Sequence, residues 1–210
     1  MVLLSIPLWF FGVDFAIYGI CSLFAFLVSY FAYNISQVSG KKAHFNLYLS
    51  FALLGAGMFA VSLSSLMIFI QPALGELTPF DMFSGLDDLG YWVYYLTSIV
   101  AYSLLSYTYM SEGRFKSFAP IIFPAWPLVY THFNLIAIFL LSFTVFRMII
   151  NFINRKSLNS LLILSGFSLI SLHHLLILFM PFTNIIYLLS HMLLILGFSM
   201  MVLVLKRVGR

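Results

Sequence analysis

Six stretches of this chain run for more than twenty residues with almost no charge: residues 8–33, 44–70, 88–110, 130–154, 158–180 and 183–204. A helix of about 20 apolar residues matches the ~30 Å hydrocarbon core of a bilayer. In lipid every backbone N–H and C=O must find its partner within the protein, and a helix meets that demand segment by segment. Only 8% of the residues are charged and 63% are hydrophobic, whereas a soluble domain carries about 25% charged residues. Too little polar surface is left to clothe a water-soluble fold. The expectation is an all-α, polytopic integral membrane helix bundle, one transmembrane domain over residues 1–210, with the lipid bilayer of the cell membrane around it.

A seventh segment decides the topology. Residues 118–128 are apolar but short, and they carry Pro120, Pro124 and Pro127, each of which removes a helical hydrogen bond. If this segment crosses as a short, Pro-broken helix, then Lys41, Lys42, Arg114, Lys116, Arg155, Lys156, Lys206, Arg207 and Arg210 fall on one side. The acidic connection with Glu76, Asp81 and Asp87 falls on the other. If the segment is re-entrant instead, the basic loops are split between the faces. The positive-inside rule therefore favours seven transmembrane helices, with the N-terminus outside and the C-terminus cytoplasmic. Within the acidic connection, Thr78-Pro79-Phe80-Asp81 reads as the capped start of a short helix lying on the outer surface.

Several function classes drop out. The single cysteine, Cys21, cannot form an internal disulfide or a cysteine metal cluster. No basic stripe with interleaved aromatics exists to bind nucleic acid. Residues 1–33 hold no Lys or Arg, so no cleavable leader is expected. Zincin, P-loop and nucleophile-elbow motifs are absent, and no mid-span lysine could hold a retinal. An enzyme is not expected, and a seven-helix outline alone licenses no function.

What stands out is where the few polar side chains fall. His174 lies seven residues before Pro181 and His191 ten after it. Two arms joined by so short a turn must be neighbours, so both imidazoles sit roughly 10–13 Å below the turn. Ser171 shares the face of His174; Asn184, Tyr187 and Ser190 share that of His191. Asp14 lies about 9 Å inside the first span with Tyr18 and Cys21 on its face. His132 stands near the outer end of its span, and Arg147 shares its face nearer the cytoplasm. The third span carries a stripe of Tyr91, Tyr94, Tyr95, Ser98 and Tyr102, read as packing and interface anchoring. His173 points away from His174 and is expected to bond another helix or a backbone carbonyl.

Ionisable groups within a bilayer are costly and mark functional sites by default. The expected site is thus an outer-leaflet polar cavity. It would join Asp14, Tyr187, Ser171 and Arg147 as ligand-binding residues to His174, His191 and His132 as metal ligands. Three imidazoles and a carboxylate suit a transition metal; His174 and His191 could ligate a haem b from two sides; or Asp14 and the histidines could relay protons. Each residue also has a purely structural reading, since intramembrane His and Ser often do no more than hydrogen-bond a neighbouring helix, for about 0.6 kcal/mol. The functional expectation is a sensor, carrier or cofactor-holding subunit binding a small ligand from the outer side. The alternatives are a non-catalytic subunit or interaction module with membrane-protein partners or a homo-oligomeric state, and, more remotely, a His-dependent hydrolase. Gly55-Ala56-Gly57 would let a partner helix approach closely.

Overall fold

The structure is a computed structural model that describes residues 8–74, 80–111, 126–179 and 184–208. Among these residues it is entirely helical: α1 (Leu8–Ser39), α2 (Lys42–Leu74), α3 (Phe80–Ser111), α4 (Trp126–Arg155), α5 (Leu158–Ile177) and α6 (Asn184–Val208). Two breaks are tight and have evident local causes. Gly40, at φ +62°, takes the left-handed conformation that ends α1, and its N–H bonds the Ser36 carbonyl at 2.9 Å. Lys156 does the same after α4 at φ 46°, with its N–H on the Phe152 carbonyl at 2.8 Å. Ser157 then caps α5 by accepting from the Ser160 N–H.

Each helix packs on its neighbours in chain order, and α6 returns to α1, so the six form a closed ring. Side-chain pairings give the directions. Ser22 bonds the Gly55 carbonyl at 2.9 Å and Ser29 that of Tyr48 at 3.0 Å, so α1 and α2 are antiparallel. Gly57 lies against Thr97, and Gly90 against Ser64; α2 and α3 are antiparallel too. However, Tyr95 meets Phe133 at 4.3 Å, Ser106 bonds the Leu140 carbonyl at 2.7 Å, and Arg147 bonds that of Tyr109 at 2.9 Å. The numbers rise together, so α3 and α4 are parallel. So are α1 and α6, from Phe10 on Tyr187 and Tyr18 on His191. In consequence α1, α3, α4 and α6 all begin at one end of the ring. Lys41, Lys42, Arg155, Lys156, Lys206 and Arg207 gather at the other, the basic end.

Five of the helices, all but α3, are long and apolar enough to cross a membrane. The outward faces carry Leu23, Phe139, Ile153, Ile185 and Met192, each more than half exposed. A water-soluble protein does not display apolar surface around its whole girth; lipid is the solvent that fits. The helix α3 is held back in hydropathy by six tyrosines, several of which face the ring interior.

Six helices are present among the described residues, and two sequence expectations change. Trp126, Pro127 and Leu128 open α4 rather than closing a separate segment; Pro127 sits in the first turn, where its missing N–H has no helical acceptor to lose. The remainder of the Pro-rich stretch, residues 118–125, lies outside the described residues. Phe80 and Asp81 begin α3 without a break, in place of a separate surface helix, while Thr78 and Pro79 lie outside the described residues, as do Met180, Pro181 and Phe182.

The close approach made by glycine occurs on α2 as expected, where Gly55 meets the Phe26 ring of α1 and Gly57 the Tyr94 backbone of α3. A second one lies between α5 and α6. A Cβ on Gly197 would stand 2.8 Å from Ile170 Cγ1 and 2.9 Å from the Gly166 carbonyl, where backbone cannot give way. Gly197→Ala is therefore expected to destabilise the bundle by about 1–3 kcal/mol. Gly12→Ala, which would press only on the movable Phe69 ring, should cost much less. Thermal unfolding in detergent compares the two.

Candidate functional site

Near the end where α1 and α6 begin, a chain of polar side chains crosses the ring interior. Asp14 of α1 is buried. Its Oδ1 accepts a hydrogen bond from the Tyr187 hydroxyl of α6, and its Oδ2 accepts one from the Tyr91 hydroxyl of α3 at 3.0 Å. Next to them His191 of α6 presents Nε2 to Asp14 Oδ1 at 3.3 Å. This is close enough for charge pairing, although Nε2 lies off the line of a hydrogen bond. The ring of His173 stands 5.4 Å from that of His191 and 5.0 Å from that of His174, so three imidazoles run in file across α6 and α5. The file ends on His174, whose Nε2 meets the Tyr102 hydroxyl of α3 at 2.9 Å and whose Nδ1 meets Asn134 Oδ1 of α4 at 3.0 Å. Five of the six helices, all but α2, thus converge on one layer, and all three histidines are no more than 2% exposed.

The hydrogen-bond inventory fixes several protons. A backbone carbonyl can only accept. His191 Nδ1 lies 2.9 Å from the Tyr187 carbonyl, so Nδ1 carries a hydrogen. His173 Nδ1 lies 2.9 Å from the Ser190 carbonyl and carries one for the same reason. With the Asn134 amide oxygen turned to it, His174 donates from Nδ1 and accepts the Tyr102 hydroxyl hydrogen at Nε2, as a satisfied neutral imidazole. His191 is different. With Nδ1 committed, a neutral ring would aim the Nε2 lone pair at the Asp14 carboxylate, an arrangement that repels. Its Nε2 faces Asp14 Oδ1 at 3.3 Å and has no hydrogen-bond partner among the described residues.

Toward the basic end the interior changes character. Phe51, Phe167 and Phe198 meet at ring separations of 6.4 Å, and Leu54, Leu105, Leu141 and Met201 pack around them. This aromatic plug closes the polar layer on that side.

Of the side chains singled out from sequence, Asp14, Tyr187, His174 and His191 come together in this layer. Ser171 is half-buried on α5 and contributes no contact to it. His132 is exposed on α4, apart from the three buried rings. Arg147 serves elsewhere: its Nε donates to the Tyr109 carbonyl, one of the last carbonyls of α3, which have no helical partner of their own. Among the described residues no three His, Cys, Asp or Glu side chains converge as ligands for a metal ion. A haem between His174 and His191 would have to displace His173, which touches both rings.

His173 bonds the Ser190 carbonyl of α6, as expected of it; because α5 packs on α4 on one flank and α6 on the other, that direction also leads inward. Asn134 was not singled out from the sequence. Tyr91 and Tyr102 were read as packing, although the polar stripe they belong to was the available signal. Comparison of the chain with protein-family models, curated proteins and solved structures finds no match.

Removing the Tyr102 hydroxyl leaves His174 Nε2 buried without a donor. Tyr102→Phe is expected to cost about 1–3 kcal/mol. In a double-mutant cycle with His174→Leu most of that cost should vanish, which unfolding midpoints of the four proteins in detergent will measure.

Proposed function

We propose that this protein is a multi-pass cell-membrane protein that binds a proton in its interior and acts as a sensor or carrier responsive to acidity on one side of the membrane. The observation that carries this reading is the buried Asp14 carboxylate, which takes the Tyr187 and Tyr91 hydroxyls and faces His191 Nε2 at 3.3 Å. A buried acid–base pair inside an apolar bundle is the arrangement found in proton relays. The layer lies about 9–10 Å inside the starts of α1 and α6, and the phenylalanine plug lies beyond it. Protons would reach it from the end where those helices begin. The buried hydroxyls of Tyr94, Ser98 and Ser65, without partners among the described residues, add polar atoms that a small ligand could also use.

The seven-crossing topology belongs to the same proposal. Because α3 and α4 run parallel, the chain between them leads back from one end of the ring to the other. The 14 residues between Ser111 and Trp126 reach about 46–50 Å when extended, more than the ~30 Å core. This supports a Pro-broken fourth crossing. The six described cations at one end support a cytoplasmic C-terminus and an outer N-terminus. The layer then faces the outside.

A second reading has its own support. His173 and His174 are fully engaged with neighbouring helices, as braces would be, and this suits a non-catalytic membrane subunit with structural histidines. Protons separate the two. In the wild type, unfolding midpoints between about pH 4 and pH 9 should show a single-proton step. Asp14→Asn and His191→Gln should each erase it while the remaining pH dependence persists. Midpoints that run parallel for wild type and Asp14→Asn across the whole range would refute the proton site and leave the bracing subunit.

A further inference from the structure

Of two grooves among the described residues, the smaller has a charged rim. The larger, between α1 and α2, is lined by Trp9, Phe15, Phe69 and other uncharged residues. The other, of about 350 Å³, opens at the basic end between the first turns of α5 and the last turns of α6, lined by Leu158, Leu162, Leu203, Lys206 and Arg207. Leu158 and Leu203 are each about half exposed, at 48% and 47%, and the two cations are exposed as well. So the groove has an apolar floor on the lipid side and a doubly positive rim at the level of the headgroups. Arg207 is held in position. Its Nε donates to Asn159 Oδ1 of α5 at 3.1 Å, which draws the guanidinium across the seam and leaves its terminal nitrogens to face outward. Nothing in this part of the chain balances the charge: after Glu112 the sequence contains no Asp or Glu, while Arg155, Lys156, Lys206 and Arg207 follow. Among the described residues no carboxylate pairs with Lys206 or Arg207.

We propose that this groove binds one anionic phospholipid, with its phosphate on Lys206 and Arg207 and the upper methylenes of an acyl chain along Leu158, Leu162 and Leu203. The chemistry fits in each part. A guanidinium with free terminal nitrogens takes phosphate oxygens in pairs, and the lysine adds a point charge. Basic pockets between transmembrane helices at the basic end are a recurrent seat for anionic headgroups. The apolar floor distinguishes a lipid from free phosphate, since only a lipid has a chain to lay on it.

The test uses the whole protein, purified in mild detergent after equilibration with an equimolar mixture of phosphatidylglycerol and phosphatidylcholine, with retained lipid counted by native mass spectrometry. The wild type should retain about one phosphatidylglycerol in preference to phosphatidylcholine. Retention should fall about five-fold for each cation removed in Lys206→Gln and Arg207→Gln, the equivalent of about 1 kcal/mol each. Leu162→Trp, which fills the floor and leaves every charge in place, should lose it as well. Lys41→Gln with Lys42→Gln, at the same end of the ring but away from the groove, should not. Inorganic phosphate at millimolar concentration should fail to displace the lipid. Equal retention of the two lipids by the wild type, retention unchanged in either groove variant, an equal loss in the Lys41 and Lys42 control, or displacement by phosphate would each overturn the proposal.

Discussion

Helices in a bilayer gain little from hydrophobic association, because lipid tails are as apolar as the side chains they would replace. A ring of helices therefore needs specific contacts at its closing seam, where the first and last elements meet. Here that seam is made by Asp14. Its two oxygens receive hydroxyls from α6 and α3, and His191 stands beside it. Phe10 on Tyr187 and Tyr18 on His191 pack against the same spot. Removing one member of a buried charged pair typically costs 3–5 kcal/mol, since the other is left uncompensated. The position of α6, and with it the polar layer, depends on this carboxylate.

From the seam the organisation of the interior follows. Polar contacts between helices here are of two kinds. Serines along α1 and α2 spend their hydroxyls on backbone carbonyls of the facing helix, as Ser22 does on Gly55 and Ser62 on Phe15. These fasten two helices and carry no ionisable group. The layer of Asp14, His191, His173 and His174 is of the second kind, in which titratable side chains touch each other and not only backbone. It lies against a plug of phenylalanines and leucines. Low dielectric on that side strengthens every interaction in the layer and makes any unpaired member more costly.

Much of this was legible beforehand, for reasons that can be named. The equal depth of His174 and His191 followed from counting residues on either side of a short turn, because helix rise is constant. Asp14 was conspicuous because nothing apolar about its surroundings excused it. What could not be read was which directions lead inward. On a helix with a neighbour on either flank, as α5 has, two opposed faces are both interior, so His173, expected to bond another helix or a backbone carbonyl and found on the Ser190 carbonyl of α6, also lies in the layer. Arg147 was misplaced for a related reason. Its partner is the Tyr109 carbonyl, and a backbone group carries no residue type by which a sequence could advertise it. The parallel run of α3 and α4 was implied by the charge asymmetry of the loops, yet only inter-helix pairings such as Tyr95 with Phe133 express it as geometry.

The bond between Tyr187 and Asp14 joins residues 173 positions apart. During synthesis the ribosome finishes the first helix long before the sixth exists. Until then the carboxylate of Asp14 has no hydroxyl from α6 and no imidazole beside it, and it must stay near the headgroups, be shielded by a chaperone or keep its proton. Arrival of the final helix relieves that debt at a stroke. A chain truncated before α6, or one whose last helix fails to dock, would go on displaying an uncompensated acid within its first span. Quality-control proteases of the membrane could read that acid as the mark of an unfinished molecule.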